Sequence, residues 1–194
     1  MRKVKRLGLL IDQERCIGCE ACTVACMIEN NTTTPLIRVE TQNSPVKDVP
    51  VGRFPELRMD FLPRLCNHCA DPPCVGVCPT GALVKREDGP VVLDRDKCEG
   101  CKACVDACPY DAIHYDGEKS VVEKCNLCVH RIDQGLEPFC VVCCEGQAMY
   151  FGDLNDPESE ISRIIAERET FQLKPEVGTG PSVYYCPPKP RRKL

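Results

Sequence analysis

The sequence predicts an α+β fold, loop-rich with short strands and helices, in which one small unit is inserted in another of the same kind. Three observations carry this. The 194 residues hold 18 cysteines, and sixteen of them fall in four regularly spaced quartets. Seventeen prolines argue against a helical bundle, and no Trp, five Phe and five Tyr leave too few large side chains for a hydrocarbon core. Something bound to the cysteines is expected to supply part of that core. Finally, an Ala stands four residues after the last cysteine of three quartets (Ala82, Ala112 and Ala148), which marks an internal repeat; Asn30 takes that place after the first quartet.

The opening MRKVKRLGLLIDQERC has an apolar run from Leu7 to Ile11. It is shorter than the roughly 7–15 residues of a secretory core, and no small-residue cleavage site follows. No stretch reaches the ~18 apolar residues of a membrane span. The expectation is a chain with no export signal or anchor of its own, cytoplasmic by default, whose thiols stay reduced rather than pairing as disulfides.

The spacings narrow the chemistry. The first quartet is Cys16-x2-Cys19-x2-Cys22-x3-Cys26 and the second Cys66-x2-Cys69-x4-Cys74-x3-Cys78-Pro79. The third is Cys98-x2-Cys101-x2-Cys104-x3-Cys108-Pro109. The fourth is looser: Cys125-x2-Cys128, eleven residues, then Cys140-x3-Cys144, leaving Cys143 and Cys186 over. Zinc would use C-x2-C pairs separated by a loop. Three cysteines at three-residue steps, then a fourth and a Pro, is instead the bacterial ferredoxin run that binds 4Fe–4S clusters. Three thiolates on one tight loop reach three corners of a cubane. The fourth, carried away on a helix that the Pro ends, reaches a neighbouring cluster.

The elements follow in order. ALVKREDGPVVLD after the second quartet reads as a hairpin around Asp88-Gly89, and AIHYDGEKSVVE after the third as another around Asp116-Gly117. With short helices behind the third cysteine of each loop, this is the bacterial-ferredoxin layout. Residues 60–116 form the inner ferredoxin unit, holding sets two and three. Residues 1–59 are the first part of the outer unit with an insertion loop, 117–155 its second part, and 156–194 a short helix and Pro-rich arm. Punctuation by Pro, Asn and Gly between sets one and two, with the alternating ELRMDF, predicts an extended loop with a strand or two, either a surface insertion or a docking loop. Asp156 is expected to cap a helix with Pro157 at its first position and Ile161, Ile164 and Ile165 on one face. The end, KPEVGTGPSVYYCPPKPRRKL, is either a disordered tail or an arm along a partner, and Val183, Tyr184 and Tyr185 favour the arm.

Cross-ligation then groups the thiols. Cys66, Cys69, Cys74 and Cys108 share one cluster; Cys98, Cys101, Cys104 and Cys78 share its neighbour. In the outer unit Cys16, Cys19, Cys22 and Cys144 share one, and Cys125, Cys128, Cys140 and Cys26 the other. The alternative, each set holding its own cluster, keeps the same sixteen ligands.

The four-set order, CNHCADPPCVGVCPTGAL in set two, and KCNLCVHRIDQGLEPFC followed by FGDLNDP in set four resemble one family over residues 5–190. It is the iron–sulfur (beta) electron-transfer subunits of the dimethyl sulfoxide reductase superfamily of molybdenum or tungsten pterin oxidoreductases. The resemblance implies four 4Fe–4S clusters, since Cys98, Cys101, Cys104 and Cys108 are all present where some relatives replace one and hold 3Fe–4S. It implies a pterin catalytic subunit as partner, a quinone-reactive membrane subunit or soluble carrier at the other end, and an anaerobic setting. It also opens a second location, outside the cytoplasmic membrane by co-export with a twin-arginine-tagged partner. One departure stands out: Cys144 is followed by Glu145-Gly146-Gln147 where the family has a Cys-Pro-Thr-Gly-like string, which predicts a different backbone there.

Sixteen thiolates for four clusters leave no open iron, and the sequence offers no phosphate loop, GxGxxG or nucleophile–base pair. The expectation is a wire that passes single electrons, with no catalytic residues. His68, His114 and His130 replace no cysteine, so ligation as in a Rieske site is not expected of them. Cys143 and Cys186 receive no ligand role. The formal net charge of −4 becomes ~−12 with four clusters, which excludes nucleic acid as a partner. The basic ends, Arg2, Lys3, Lys5, Arg6 and Arg191, Arg192, Lys193, read as solvated. A free-standing polyferredoxin is the main rival, and a zinc-holding structural module the third reading.

Overall fold

A computed structural model describes residues 4–189. Of the basic ends, Arg2, Lys3, Arg191, Arg192 and Lys193 lie outside the described residues. The apolar LGLLID segment forms β1 (Leu7–Asp12), the centre of a three-stranded sheet. On one side it pairs antiparallel with β8 (Met149–Asp153), and on the other parallel with β9 (Val183–Cys186). Successive side chains of a strand point to opposite faces. Leu9 and Ile11 therefore enter the cysteine-rich core, while Leu10 packs on Ile161 of α6 (Glu160–Glu167). This double-faced burial is why the run is apolar without alternation.

The arm is resolved against the expectation of a partner: β9 adds to the chain's own sheet. Tyr185 is fully buried, stacks on Phe171 with ring centroids 5.4 Å apart, and donates its hydroxyl proton to Pro63 O at 3.0 Å. Arg6, expected to be solvated, donates to Gly180 O and Pro181 O and ties the arm down. The free edge of β1 needs partners for its N–H and C=O groups, and the arm supplies them. The terminal helix also starts later than expected. Ser159, whose Oγ accepts the Ser162 N–H at 3.3 Å, is the N-cap. Asp156 instead closes the preceding turn by accepting from the Glu158 N–H at 3.0 Å. The isoleucine face is as read, with Ile161 buried and Ile164 and Ile165 packed beside it.

Both hairpins are present: β4 (Leu83–Lys85) with β5 (Val91–Leu93), and β6 (Ile113–Asp116) with β7 (Val121–Lys124). The second runs across residue 116, so the unit boundary expected there falls inside a strand pair. Five short helices complete the body: α1 (Ala21–Glu29), α2 (Pro73–Gly76), α3 (Ala103–Ala107), α4 (Val129–Ile132) and α5 (Phe139–Val142). The segment between sets one and two forms β2 (Arg38–Gln42) and β3 (Asp60–Arg64), paired antiparallel, with residues 43–59 looping between them. ELRMDF contributes only its last two residues to β3. No helix among the described residues is long and apolar enough to cross a membrane.

Candidate metal centres

Each cysteine loop is bent the same way. The residue two after the first cysteine has positive φ in all four: Gly18 (71°), His68 (43°), Gly100 (65°) and Leu127 (59°). In the two regular loops the residue before the helix does so too, Glu20 at 58° and Lys102 at 65°. This left-handed turn aims backbone N–H groups inward, at the sulfurs. Leu127 N–H donates to Cys125 Sγ at 3.4 Å, and Gly18 N–H does the same for Cys16. The glycines have a second reason. A Cβ on Gly100 would lie 2.3 Å from Ser120 O, and one on Gly18 would lie 2.4 Å from the Phe61 ring.

The recurring Ala has a physical origin as well. Ala148 N–H donates to Cys144 Sγ at 3.2 Å; Ala82 N–H serves Cys78 and Ala112 N–H serves Cys108 in the same way. The residue before each Ala sits at positive φ, Gly81 (64°), Asp111 (53°) and Gln147 (48°). The turn after Cys144 is therefore the same turn, and the expected difference there is not found; Gln147 adopts the strained conformation that glycine holds in set two. Set one solves the problem differently. Asn30 Nδ2 reaches Cys26 Sγ at 3.6 Å and Cys128 Sγ at 4.0 Å, so a side-chain amide stands in for the backbone donor.

The third and fourth cysteines of each set are four apart on or beside one helix, hence on one face and about 6 Å apart along it. One helix can thus serve two neighbouring centres. The thiols gather accordingly. One small void is lined by Cys16, Cys19, Cys22 and Cys144. A second is lined by Cys66, Cys69, Cys74 and Cys108. A third is lined by Cys78, Cys98, Cys101 and Cys104. Cys26, Cys125 and Cys128 lie within electrostatic reach of Cys140. Four thiols facing one void are a donor set for a soft, thiolate-bound metal group.

Charge points the same way. Burial and the crowding of neighbouring thiols push Cys22 and Cys74 up to about 12; burial and Cys128 do the same for Cys26. Burial raises Cys104 to about 11 and Cys125 and Cys140 well above the ordinary thiol range. Quartets like these ionise only against bound cationic metal. Hydroxyls also reach in: burial raises Cys69, opposed by a hydrogen bond from Thr179, whose Oγ1 lies 2.6 Å from the Tyr110 hydroxyl. Thr179 belongs to the arm and Tyr110 follows Cys108-Pro109; sequence spacing carried no signal for either.

The remaining candidates lie apart. His68 is fully buried, its Nδ1 accepting the Val91 N–H at 3.0 Å. His130 pairs with Glu29 at 2.8 Å, and His114 lies half-buried on β6. Cys143 Sγ faces the Ala21 and Cys140 carbonyls, each at 3.6 Å, and Cys186 is buried in β9.

Two matches to a 4Fe–4S dicluster domain cover residues 57–154 and 15–82. The B-subunit of tetrathionate reductase from Salmonella typhimurium is 47% identical over 182 residues, 93% of this chain and 72% of its own. A protein of Halobacterium salinarum, provisionally named as the iron–sulfur B-subunit of a dimethyl sulfoxide reductase, is 44% identical over 92% of this chain and 78% of its own. The polysulfide reductase B-chain of Wolinella succinogenes is 38% identical over 95% of this chain and 96% of its own.

Proposed function

This protein is a member of the iron–sulfur B-subunits of the dimethyl sulfoxide reductase family, built on 4Fe–4S dicluster domains, and from that premise we propose that it carries single electrons through four clusters between a catalytic subunit and a second redox partner. Its partner in this reading is a molybdenum- or tungsten-pterin subunit, and the far end meets a quinone-reactive membrane subunit or a soluble carrier.

The observation that carries the reading is the set of voids walled by four thiols drawn from two different quartets. It supports cross-ligation, with Cys16, Cys19, Cys22 and Cys144 on one cluster and Cys26, Cys125, Cys128 and Cys140 on the next. Cys66, Cys69, Cys74 and Cys108 then hold the third, and Cys78, Cys98, Cys101 and Cys104 the fourth. When bound, each cluster supplies a one-electron couple. The protein's residues do the rest: thiolates bind, turned N–H groups and Asn30 neutralise sulfur charge, and the apolar core excludes water.

The proposed order runs from the first to the fourth. Cys140 is in electrostatic reach of Cys22, Cys125 of Cys66, and α2 packs on α3. Among the sixteen thiols only Cys19 and Cys101, at the two ends of that order, are exposed. One ferredoxin-like unit inserted in another is part of this proposal; its support is that β1 pairs with β8, and α1 packs on α5, around the intervening residues. Residence in the cytoplasm, or outside it with an exported partner, is equally part of it.

The test is anaerobic purification from the native source with intact-complex mass and metal analysis. The expected result is co-purification with a large molybdenum or tungsten subunit and about 16 iron per copy of this chain, beyond any in the partner. A chain that runs alone with its iron intact is a free polyferredoxin, and the subunit reading falls.

A further inference from the structure

Two lysines penetrate the middle of the molecule, where a cation is costly to bury unless paired. Lys124, at the end of β7, is 5% exposed; its ammonium donates to Cys125 O at 2.6 Å and to Val91 O. Lys85, at the end of β4, donates to His68 O at 2.9 Å, Cys69 O at 2.7 Å and Gly89 O. All five acceptors are neutral carbonyls. Among the described residues, no carboxylate lies within ion-pair distance of either lysine. Their charged surroundings are mainly thiols. Lys124 acts on Cys74 and Cys125, and Lys85 on Cys66 and Cys69, with Arg6 and Asp71 also in reach of Lys85.

We propose that the buried Lys124 and the half-buried Lys85 are counter-charges to the cluster held by Cys66, Cys69, Cys74 and Cys108, and that they raise its reduction potential above the value its thiolates alone would set. The proposal rests on the ligand reading above. Adding an electron takes an oxidised cluster with four thiolates from about −2 to about −3, and a nearby fixed positive charge favours the more negative state. Low local dielectric strengthens that effect at a lysine that is only 5% exposed. The cluster is shared by both lysines. The neighbour feels Lys124 through Cys125, and the outer two clusters have no buried lysine beside them among the described residues. The two lysines are positioning residues: they act on the electron through the thiolates and touch no substrate. The outcome is an electron station within the wire, held away from both exposed ends.

The experiment is an EPR-monitored redox titration of the intact holoprotein in its native complex, comparing wild type with Lys124→Gln, Lys85→Gln and Lys124→Arg. Gln keeps a donor for the carbonyls and removes the charge. The expected result is a tenfold or larger loss in the reduction equilibrium of one centre, about 59 mV downward. A smaller shift in a second centre and two unmoved signals complete the expectation, with Lys124→Arg close to wild type. A role confined to bracing carbonyls would lower thermal stability and leave every midpoint in place; unmoved midpoints with full iron overturn the proposal. Should Lys124→Gln lose iron, Lys85→Gln decides alone, because Lys85 is only half-buried and the midpoint of its variant either falls or overturns the claim. Iron content and signal count in the wild type test the ligand reading separately: without 4Fe–4S signals that reading and this proposal fall together, while intact signals with unmoved midpoints defeat this proposal alone.

Discussion

At the scale of single residues, the centres depend on a few backbone conformations as much as on the thiols. Gly100 combines a φ of 65° with a main-chain oxygen 2.3 Å from where a Cβ would stand. A carbonyl cannot swing aside as a ring can. Gly100→Ala is therefore expected to cost its loop one cluster, about four iron per chain, with the other centres retained; metal analysis of the purified variant checks this. Gly18→Ala meets the Phe61 side chain instead and should lose less. Asn30 is a second case, because its amide replaces the backbone donor that three quartets take from an Ala. Asn30→Leu should retain iron but lower the midpoint of the centre containing Cys26. The change corresponds to one lost hydrogen bond, about 1 kcal/mol, read by redox titration.

Among the elements, β9 contributes most beyond expectation. It completes the sheet on β1, carries Tyr185 into the core, and brings the segment with Thr179 against Tyr110 and Cys69. Tyr185→Ala should destabilise the holoprotein by about 3–5 kcal/mol through the cavity it leaves, whereas Tyr185→Phe loses only the bond to Pro63, about 1 kcal/mol. Thermal unfolding of both variants under anaerobic conditions separates the two. A Tyr185→Ala protein as stable as wild type would mean that β9 does not anchor the arm. The late start of α6 has a local cause: the Ser159 hydroxyl caps the helix while also donating to Asp153 O at 2.6 Å, so Asp156 is left to the turn.

Across the whole molecule, ion pairs join parts that lie far apart in the chain. Arg86, just beyond β4, bonds Asp133, just beyond α4, at 2.7 and 3.0 Å. That contact holds the Asp133 carboxyl below its ordinary 3.8. A lowered folded-state value means that the unfolded state takes up more protons below about pH 4, so the pair contributes above that range and fades as pH falls through the lowered value. Asp133→Asn should thus melt slightly below wild type at pH 7, and the gap should narrow as pH falls towards 3. Melting curves at the two pH values check this, and a gap that persists in acid would assign the effect to packing.

Much of this was legible because it is local. A C-x2-C loop, a glycine with positive φ, a two-strand hairpin around Asp88-Gly89 and an isoleucine face are set by neighbours a few residues apart, and Cys16 through Cys144 announced their chemistry by spacing alone. The sequence by itself therefore determined the sixteen candidate ligands, the short elements between them and the thiol-poor, loop-rich remainder. Only the tertiary structure decided which thiols face one void, where the arm lies, and that Lys124 and Lys85 point into the middle of the molecule. Several of those outcomes depend on segments far apart in the chain meeting in space, as Cys16 meets Cys144 and Leu9 meets Val183. No local propensity encodes such meetings; burial of the shared core and satisfaction of the β1 edge select them.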